Sequence, residues 1–313
     1  MRPTPLQMIR STIISATTKN SMAKAEFETF TLYRGEVTVK FYPKSHMYKI
    51  TDPKYGLVDQ RVKGVTTFLG ILDKSPALVS WSTELAGLHL YDIIASGNTI
   101  LMPDVIEAIG RHRVVKEEAA NTGTTAHEWC EYFIKHTLGK EGYEAEPELP
   151  TDPQVLLAVD AFLEWYNSHD IQFLSSERVV YSREYQYVGT MDFEAIVDGA
   201  YCVGDFKASN GLYNTVLAQT AAYQHASEEE NPDVKYTSRW AVRLCKEGPE
   251  EYKIRMERKN FIKGKEGAEY PPHNPFEYKL FEGRETFERD FDGFLHARNL
   301  FLWNEATDFY RNK

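Results

Sequence analysis

Tyr187-Val188-Gly189-Thr190-Met191-Asp192-Phe193-Glu194-Ala195-Ile196-Val197-Asp198-Gly199-Ala200-Tyr201-Cys202-Val203-Gly204-Asp205-Phe206-Lys207 consists of two runs of alternating apolar residues separated by Asp198-Gly199. Asp-Gly between such runs is the strongest short-range signal for a β-hairpin with a two-residue turn, and closing the chain there fixes the register. Val197 then faces Ala200, Ala195 faces Cys202, Phe193 faces Gly204, and Asp192 comes directly opposite Asp205. Directly opposed residues have Cβ atoms about 5 Å apart, a distance at which like charges destabilise a hairpin. A divalent cation offsets that repulsion, because Mg²⁺ takes one or two carboxylates and keeps its other positions for water and phosphate. Alternation puts Lys207 on the Asp205 face with Tyr201 and Val203, and puts Cys202, Gly204 and Phe206 on the other face. The same residues also read as a salt-bridge cluster on a wet sheet face, the usual meaning of an isolated D-x-K triplet.

Two helical segments flank this hairpin. Asn121-Thr122-Gly123-Thr124 supply caps for a helix running to about His136. On it His127 and Glu131 are one turn apart and share a face that can point at the aspartate pair, with Glu128 off that face and solvated. Taken alone, a histidine so placed is more often a packed core residue than a ligand. After Lys207, the segment Leu212–Ala226 aligns Leu212, Val216, Gln219 and Tyr223 on one stripe, so the polar tips of Gln219 and Tyr223 face inward and need partners.

Gly-Thr-Met-Asp, a turn, Asp-Phe-Lys and a following helix with Gln-x-x-x-Tyr resemble the core of the PD-(D/E)XK nuclease superfamily, in particular its RecB-type exonuclease branch. That branch includes phage exonucleases and the mitochondrial genome maintenance exonuclease. Gly123, His127 and Glu131 reproduce the spacing of its upstream Gly-x-x-x-His-x-x-x-Glu helix. The resemblance spans residues 121–244 and implies an α/β fold: a central mixed β-sheet flanked by helices, the restriction-endonuclease-like core. It implies that Asp192, Asp205 and Lys207 are catalytic, and that His127, Asp192, Asp205 and the Phe206 backbone carbonyl hold Mg²⁺ or Mn²⁺. Glu131, Glu177, Gln219 and Tyr223 then support the site or position DNA. Glu177 reads equally as a strand-end carboxylate, and Gln219 and Tyr223 as core hydrogen-bonding groups.

The expected function is therefore divalent-metal-dependent hydrolysis of DNA phosphodiester bonds, by an exonuclease acting on single strands or ends in recombination, repair or genome processing. The alternatives are a catalytically inactive nucleic-acid-binding module and a viral interaction or inhibitor protein, with protein partners unspecified. The formal charge of −10 over 313 residues argues mildly against a general nucleic-acid binder, yet leaves room for a local basic channel. Phosphate contacts are sought in Arg111 and Arg113, in a basic cluster before the His127 helix, and in Arg239 and Arg243 on one face of a strand Tyr236–Leu244. An ordinary solvated face is the default reading of either set.

The remaining composition bounds the rest. Hydrophobic residues make up 42% of the chain, enough for one large domain or two modest ones. No run of eighteen apolar residues exists, so no membrane partner is expected. Cys130, Cys202 and Cys245 are too few for a disulfide framework, a zinc cluster or a four-cysteine iron–sulfur cluster. Residues 1–25 carry no acid and fit a flexible tail or a targeting segment. An intracellular, cytoplasmic location is expected, in a host cell if the protein is viral, or an organelle matrix if that segment is a transit peptide. Residues 26–120 read as an N-terminal hairpin and helical region packed on a core of 121–313. Within these the expected elements are a hairpin over Phe30–Thr51, helical structure over 65–97 broken at Ser75-Pro76, and a helix from Met102. A helix capped by Asp152-Pro153 runs through Tyr166, followed by strands Glu177–Tyr181 and Tyr252–Arg258 and a terminal helix Arg284–Tyr310.

Overall fold

The computed structural model describes residues 26–307. The tail or targeting segment over 1–25 and the last residues of the terminal helix, Tyr310 included, lie outside the described residues. The chain is mixed α/β, with two sheets and seven α-helices among the described residues, and it divides into two compact units at Lys63/Gly64.

The first unit holds β1 (Glu28–Leu32), β2 (Val37–Tyr42), β3 (Met47–Asp52) and β4 (Leu57–Val62), a four-stranded antiparallel meander in chain order. The expected hairpin is its centre, β2–β3. Val37, Val39 and Ile50 are fully buried, as alternation requires. Asp59 binds Lys40 and Lys49 at 3.0 and 2.8 Å.

The second unit begins with α1 (Val65–Leu69), α2 (Ser75–Ala95), α3 (Met102–Thr137) and α4 (Pro153–Ser168). The expected break is present, between α1 and α2, and Ser75-Pro76 opens the second helix, because proline is tolerated in a first turn whose N–H groups have no helical partner. Asp152 caps α4 as expected, accepting from the Gln154 and Val155 N–H groups. The sheet follows: β5 (Ile171–Ser182), β6 (Tyr187–Val197), β7 (Ala200–Lys207), β8 (Ser238–Arg243) and β9 (Tyr278–Glu282), in the order β5-β6-β7-β8-β9. Only the β7–β8 pair is parallel, and α5 (Thr215–Glu230) makes the crossover between them. Helices α6 (Pro249–Ile262) and α7 (Arg284–Thr307) complete the unit.

Both faces of this sheet are covered. On one, Phe193, Ala195, Cys202, Phe206, Trp240 and Val242 pack against Ala126, Cys130 and Ile134 of α3 and Phe162 and Trp165 of α4. On the other, Val203 packs with Ala221, Ala222 and Tyr223 of α5 and with Phe287, Phe291 and Phe294 of α7. The separation of Cys202 and Phe206 from Val203 is the one alternation dictates.

Two expectations about these elements are corrected. The Asn121–Thr124 stretch does not start a helix; α3 runs through it without a break. Thr122 and Thr125 donate instead to the Glu118 and Asn121 carbonyls one turn back, each at 3.1 Å, a use of the hydroxyl that keeps such residues inside a helix. Tyr252–Arg258 is not a strand but lies in α6, because Pro249 in the first turn with Glu250 and Glu251 beside it makes a strong helix start. The sheet's last strand is β9, a half-exposed edge segment.

Candidate metal centre

The β6–β7 hairpin has the expected register, Val197↔Ala200, Ala195↔Cys202 and Phe193↔Gly204. Asp198 and Gly199 have φ of +50° and +82°, the left-handed pair that a two-residue hairpin turn requires. The ladder ends at Phe193–Gly204, leaving Asp192 and Asp205 just past its last pair. At the same level β5 is irregular, because Glu177, lying between partners of Phe193 and Met191, has φ +50°. Met191 and Phe193, which regular alternation would put on one face, pack on opposite faces of the sheet. The twist through Asp192 brings its carboxylate to the α3 side, where Oδ2 accepts from the Phe206 N–H and lies 3.7 Å from His127 Nδ1.

Asp205 points to the α5 side. Its Oδ1 accepts from Gln219 Nε2 at 2.8 Å and its Oδ2 pairs with Lys207 Nζ. Lys207 in turn donates to Gln219 Oε1 at 3.0 Å, and Gln219 Nε2 lies 2.9 Å from Tyr223 Oη. The four side chains form one buried polar network, which fixes rotamers more firmly than any single bond would. Two glycines permit the approach. A Cβ on Gly189 would stand 2.6 Å from the Tyr223 ring, and one on Gly123 would stand 3.1 Å from the Ala208 side chain that follows Lys207. The glycine of Gly-Thr-Met-Asp and that of Gly-x-x-x-His each hold a helix against the sheet at this spot.

The electrostatics of the centre are those of excess negative charge: Lys207 pairs with Asp205, while Asp192 and Glu177 have no lysine or arginine bound to them among the described residues. Burial, and secondarily Asp205, pushes the Asp192 carboxyl well above the usual range. Burial, followed by the nearby Asp192 and Glu131, pushes Glu177 up to about 9. Burial lowers His127 against the opposing pull of Asp205, which keeps the imidazole neutral and able to donate a lone pair near neutral pH. The donor chemistry fits a divalent cation: the Asp192 carboxylate with no such side chain on it, Asp205 paired only with Lys207, and a neutral ring beside Asp192. Among the described residues, no three His, Cys, Asp or Glu side chains already stand together at ligating distance.

Sequence-selected residues divide sharply. His127, Asp192, Asp205, Phe206, Lys207, Gln219 and Tyr223 converge, and Glu131 stands near, its carboxylate paired with Lys135. Glu177 is in mid-strand, not at a strand end. Arg239 and Arg243 are corrected. Arg239 is 1% exposed, bound to Asp290 at 2.7 Å and to the Leu217 carbonyl. Arg243 is 9% exposed and pairs with Glu277 at 2.7 Å. Neither guanidinium has a surface to offer phosphate: α5 and α7 cover Arg239, and the 274–277 segment before β9 holds Arg243. Arg111 and Arg113 belong to the same helix as His127 but lie about 20 Å or more away along its axis, at 1.5 Å per residue.

One further side chain reaches this neighbourhood. Lys246, just past β8, donates from Nζ to the Ala119 carbonyl of α3 at 2.8 Å. Only the parallel pairing of β8 beside β7 brings it there, and no local signal announces that pairing.

The chain matches no protein-family model and no curated protein.

Proposed function

We propose that this chain is a divalent-metal-dependent DNA nuclease of the RecB-type PD-(D/E)XK kind, with a restriction-endonuclease-like core, acting as an exonuclease on single strands or ends. The observation that carries the reading is the network Asp192–His127 and Asp205–Lys207–Gln219–Tyr223 at the open end of one hairpin. His127 and Asp192, 65 positions apart in sequence, meet there, which supports the reading that the resemblance implies.

Asp192, Asp205 and His127, with the Phe206 carbonyl, would hold Mg²⁺ or Mn²⁺. Such an ion, when bound, polarises a phosphodiester and makes hydroxide available near neutral pH. Lys207 supplies an ammonium beside Asp205, where it offsets negative charge developing on the phosphate or orients the attacking water. Gln219 holds that ammonium through Oε1 and Asp205 through Nε2, and so sets the angle between them. Tyr223, packed on Gly189, fixes Gln219 in turn. Burial of Asp205 and partial burial of Asp192 limit the water that would screen these charges, while the His127 side chain stays 32% exposed.

A second reading, a nucleic-acid-binding module without catalysis, draws on two observations: Lys207 already neutralises Asp205, and among the described residues no three donors are grouped. Digestion of end-labelled linear and circular DNA, single- and double-stranded, with Mn²⁺ and with chelator, separates the two. Metal-dependent loss of linear substrate with circles spared supports the exonuclease. Binding without cleavage in any metal supports the module.

A further inference from the structure

Lys246 is a lysine close to the centre that the nuclease reading does not use. Leu244 N–H bonds to the Lys207 carbonyl at 2.9 Å, so the chain leaving β8 passes the end of β7, and Lys246 emerges beside the strand end that carries Lys207. Its Nζ lies 4.0 Å from where a Cβ on Gly123 would be, one helical turn before His127. Along the α3 axis that is about 6 Å from the histidine at 1.5 Å per residue. At about 3.4 Å of rise per nucleotide in a strand, the separation corresponds to one or two nucleotides.

The surroundings of this ammonium are unusual for a half-buried charge. Lys135, Lys207 and Lys263 each meet a carboxylate. Lys246 instead makes its one hydrogen bond, among the described residues, to a neutral carbonyl, and of its three donors two remain. Burial alone shifts its pKa, downward, with no acid opposing. A partly desolvated cation without a counter-ion costs stability unless an anion arrives, and the anion nearest in the proposed reaction is the substrate backbone.

We propose that Lys246 is a positioning residue that takes a backbone phosphate one or two nucleotides from the scissile bond. The proposal rests on the nuclease reading for the identity of its ligand. It is distinct from the role of Lys207, which is aimed at the reacting phosphate: Lys246 acts on where the strand lies.

The test compares wild type, Lys246→Gln and Lys246→Arg. The first readout is binding of a fluorescent single-stranded oligonucleotide in chelator across a salt series. The second is KM and kcat for its cleavage with Mn²⁺. Lys246→Gln should raise Kd and KM about tenfold, leave kcat within about twofold, and flatten the log Kd against log salt line by about 0.7, the increment for one phosphate on a single strand. Lys246→Arg should restore the slope. Unchanged slope and KM in Lys246→Gln, with wild type cleaving normally, overturn this inference and leave the nuclease standing. A lowered unfolding midpoint with the slope unchanged makes Lys246 a strut to α3 and also overturns it. Binding without cleavage, with the slope still flattened by Lys246→Gln, supports the phosphate contact while the nuclease reading fails. Wild type that neither binds nor cleaves removes both.

Discussion

The two ends of the β6–β7 hairpin use the same side chain in opposite ways. At the closed end Asp198 is 53% exposed on its side chain and fully engaged: Oδ1 accepts from the Asp170 N–H at 2.9 Å and Oδ2 meets His169 Nδ1 at 2.7 Å. The Asp170 N–H and then His169 hold its pKa below the ordinary value. At the open end Asp192 is 15% exposed, accepts from the Phe206 N–H, and has its pKa driven up by burial and by Asp205. One aspartate closes the turn and stabilises the fold. The other carries a charge that the fold would be more stable without, and such placement is a mark of a functional group.

Removing either centre aspartate should have the largest effect. Asp192→Ala or Asp205→Ala should lower cleavage more than about a thousandfold, about 4 kcal/mol in the barrier, in single-turnover assays with Mn²⁺. Stability in chelator should be unchanged or higher for Asp192→Ala, whereas Asp205→Ala, which takes the acceptor from Gln219 and the counter-ion from Lys207, should lower it. Groups such as Asp192 and Glu177, whose folded pKa is raised, stabilise the protein fully below the unfolded value of about 4 and lose that contribution as pH rises through the folded one. Denaturant unfolding of the chelated wild type should therefore weaken as pH increases toward about 9, the Glu177 value, and Asp192→Asn should flatten that decline. Wild-type cleavage by both alanine variants would break the comparison at once.

Arg239→Ala should act on the fold instead. It leaves Asp290 buried without its partner, a loss of about 3–5 kcal/mol for breaking a buried pair from one side, read by denaturant unfolding. Lys207→Ala should lower the cleavage rate by about a hundredfold, as for loss of one group that stabilises transition-state charge, with Mn²⁺ affinity in calorimetry retained or improved, since the competing ammonium is gone.

The fold and the centre were legible to different depths. The hairpin register, the two faces of β7 and the inward stripe of Gln219 and Tyr223 follow from period and turn chemistry, which are local. What was not legible depends on partners distant in the chain. Arg239 and Arg243 share a strand face that looks wet until α5 and α7 cover the first and the 274–277 segment holds the second. Tyr252–Arg258 alternates like a strand, and Pro249-Glu250-Glu251 decides otherwise. The Asn121–Thr124 stretch has capping residues, but Thr122 and the following Thr125 bond backward within α3 and Gly123 packs on Ala208. Lys246 reaches the centre only through parallel pairing across the α5 crossover.

The smallest effect is at the closed end. Asp198→Ala removes two hydrogen bonds and places alanine at φ +50°, and should cost about 1 kcal/mol of stability with cleavage unaltered. Because the Asp198 pKa is depressed, its contribution is present above the unfolded value of about 4 and lost as pH falls through the folded one. Its pH trend should run opposite to that of Asp192.

Calorimetric titration of Mn²⁺ into wild type and Asp192→Asn, both previously treated with chelator, tests most directly whether the open end of the hairpin is a metal centre. Wild type should bind with release of heat or protons, and Asp192→Asn, equally folded by circular dichroism, should bind at least about tenfold more weakly, the effect of losing a ligand-shell interaction. Folded wild type that takes up no Mn²⁺, or a variant that binds it with wild-type affinity, would contradict the account.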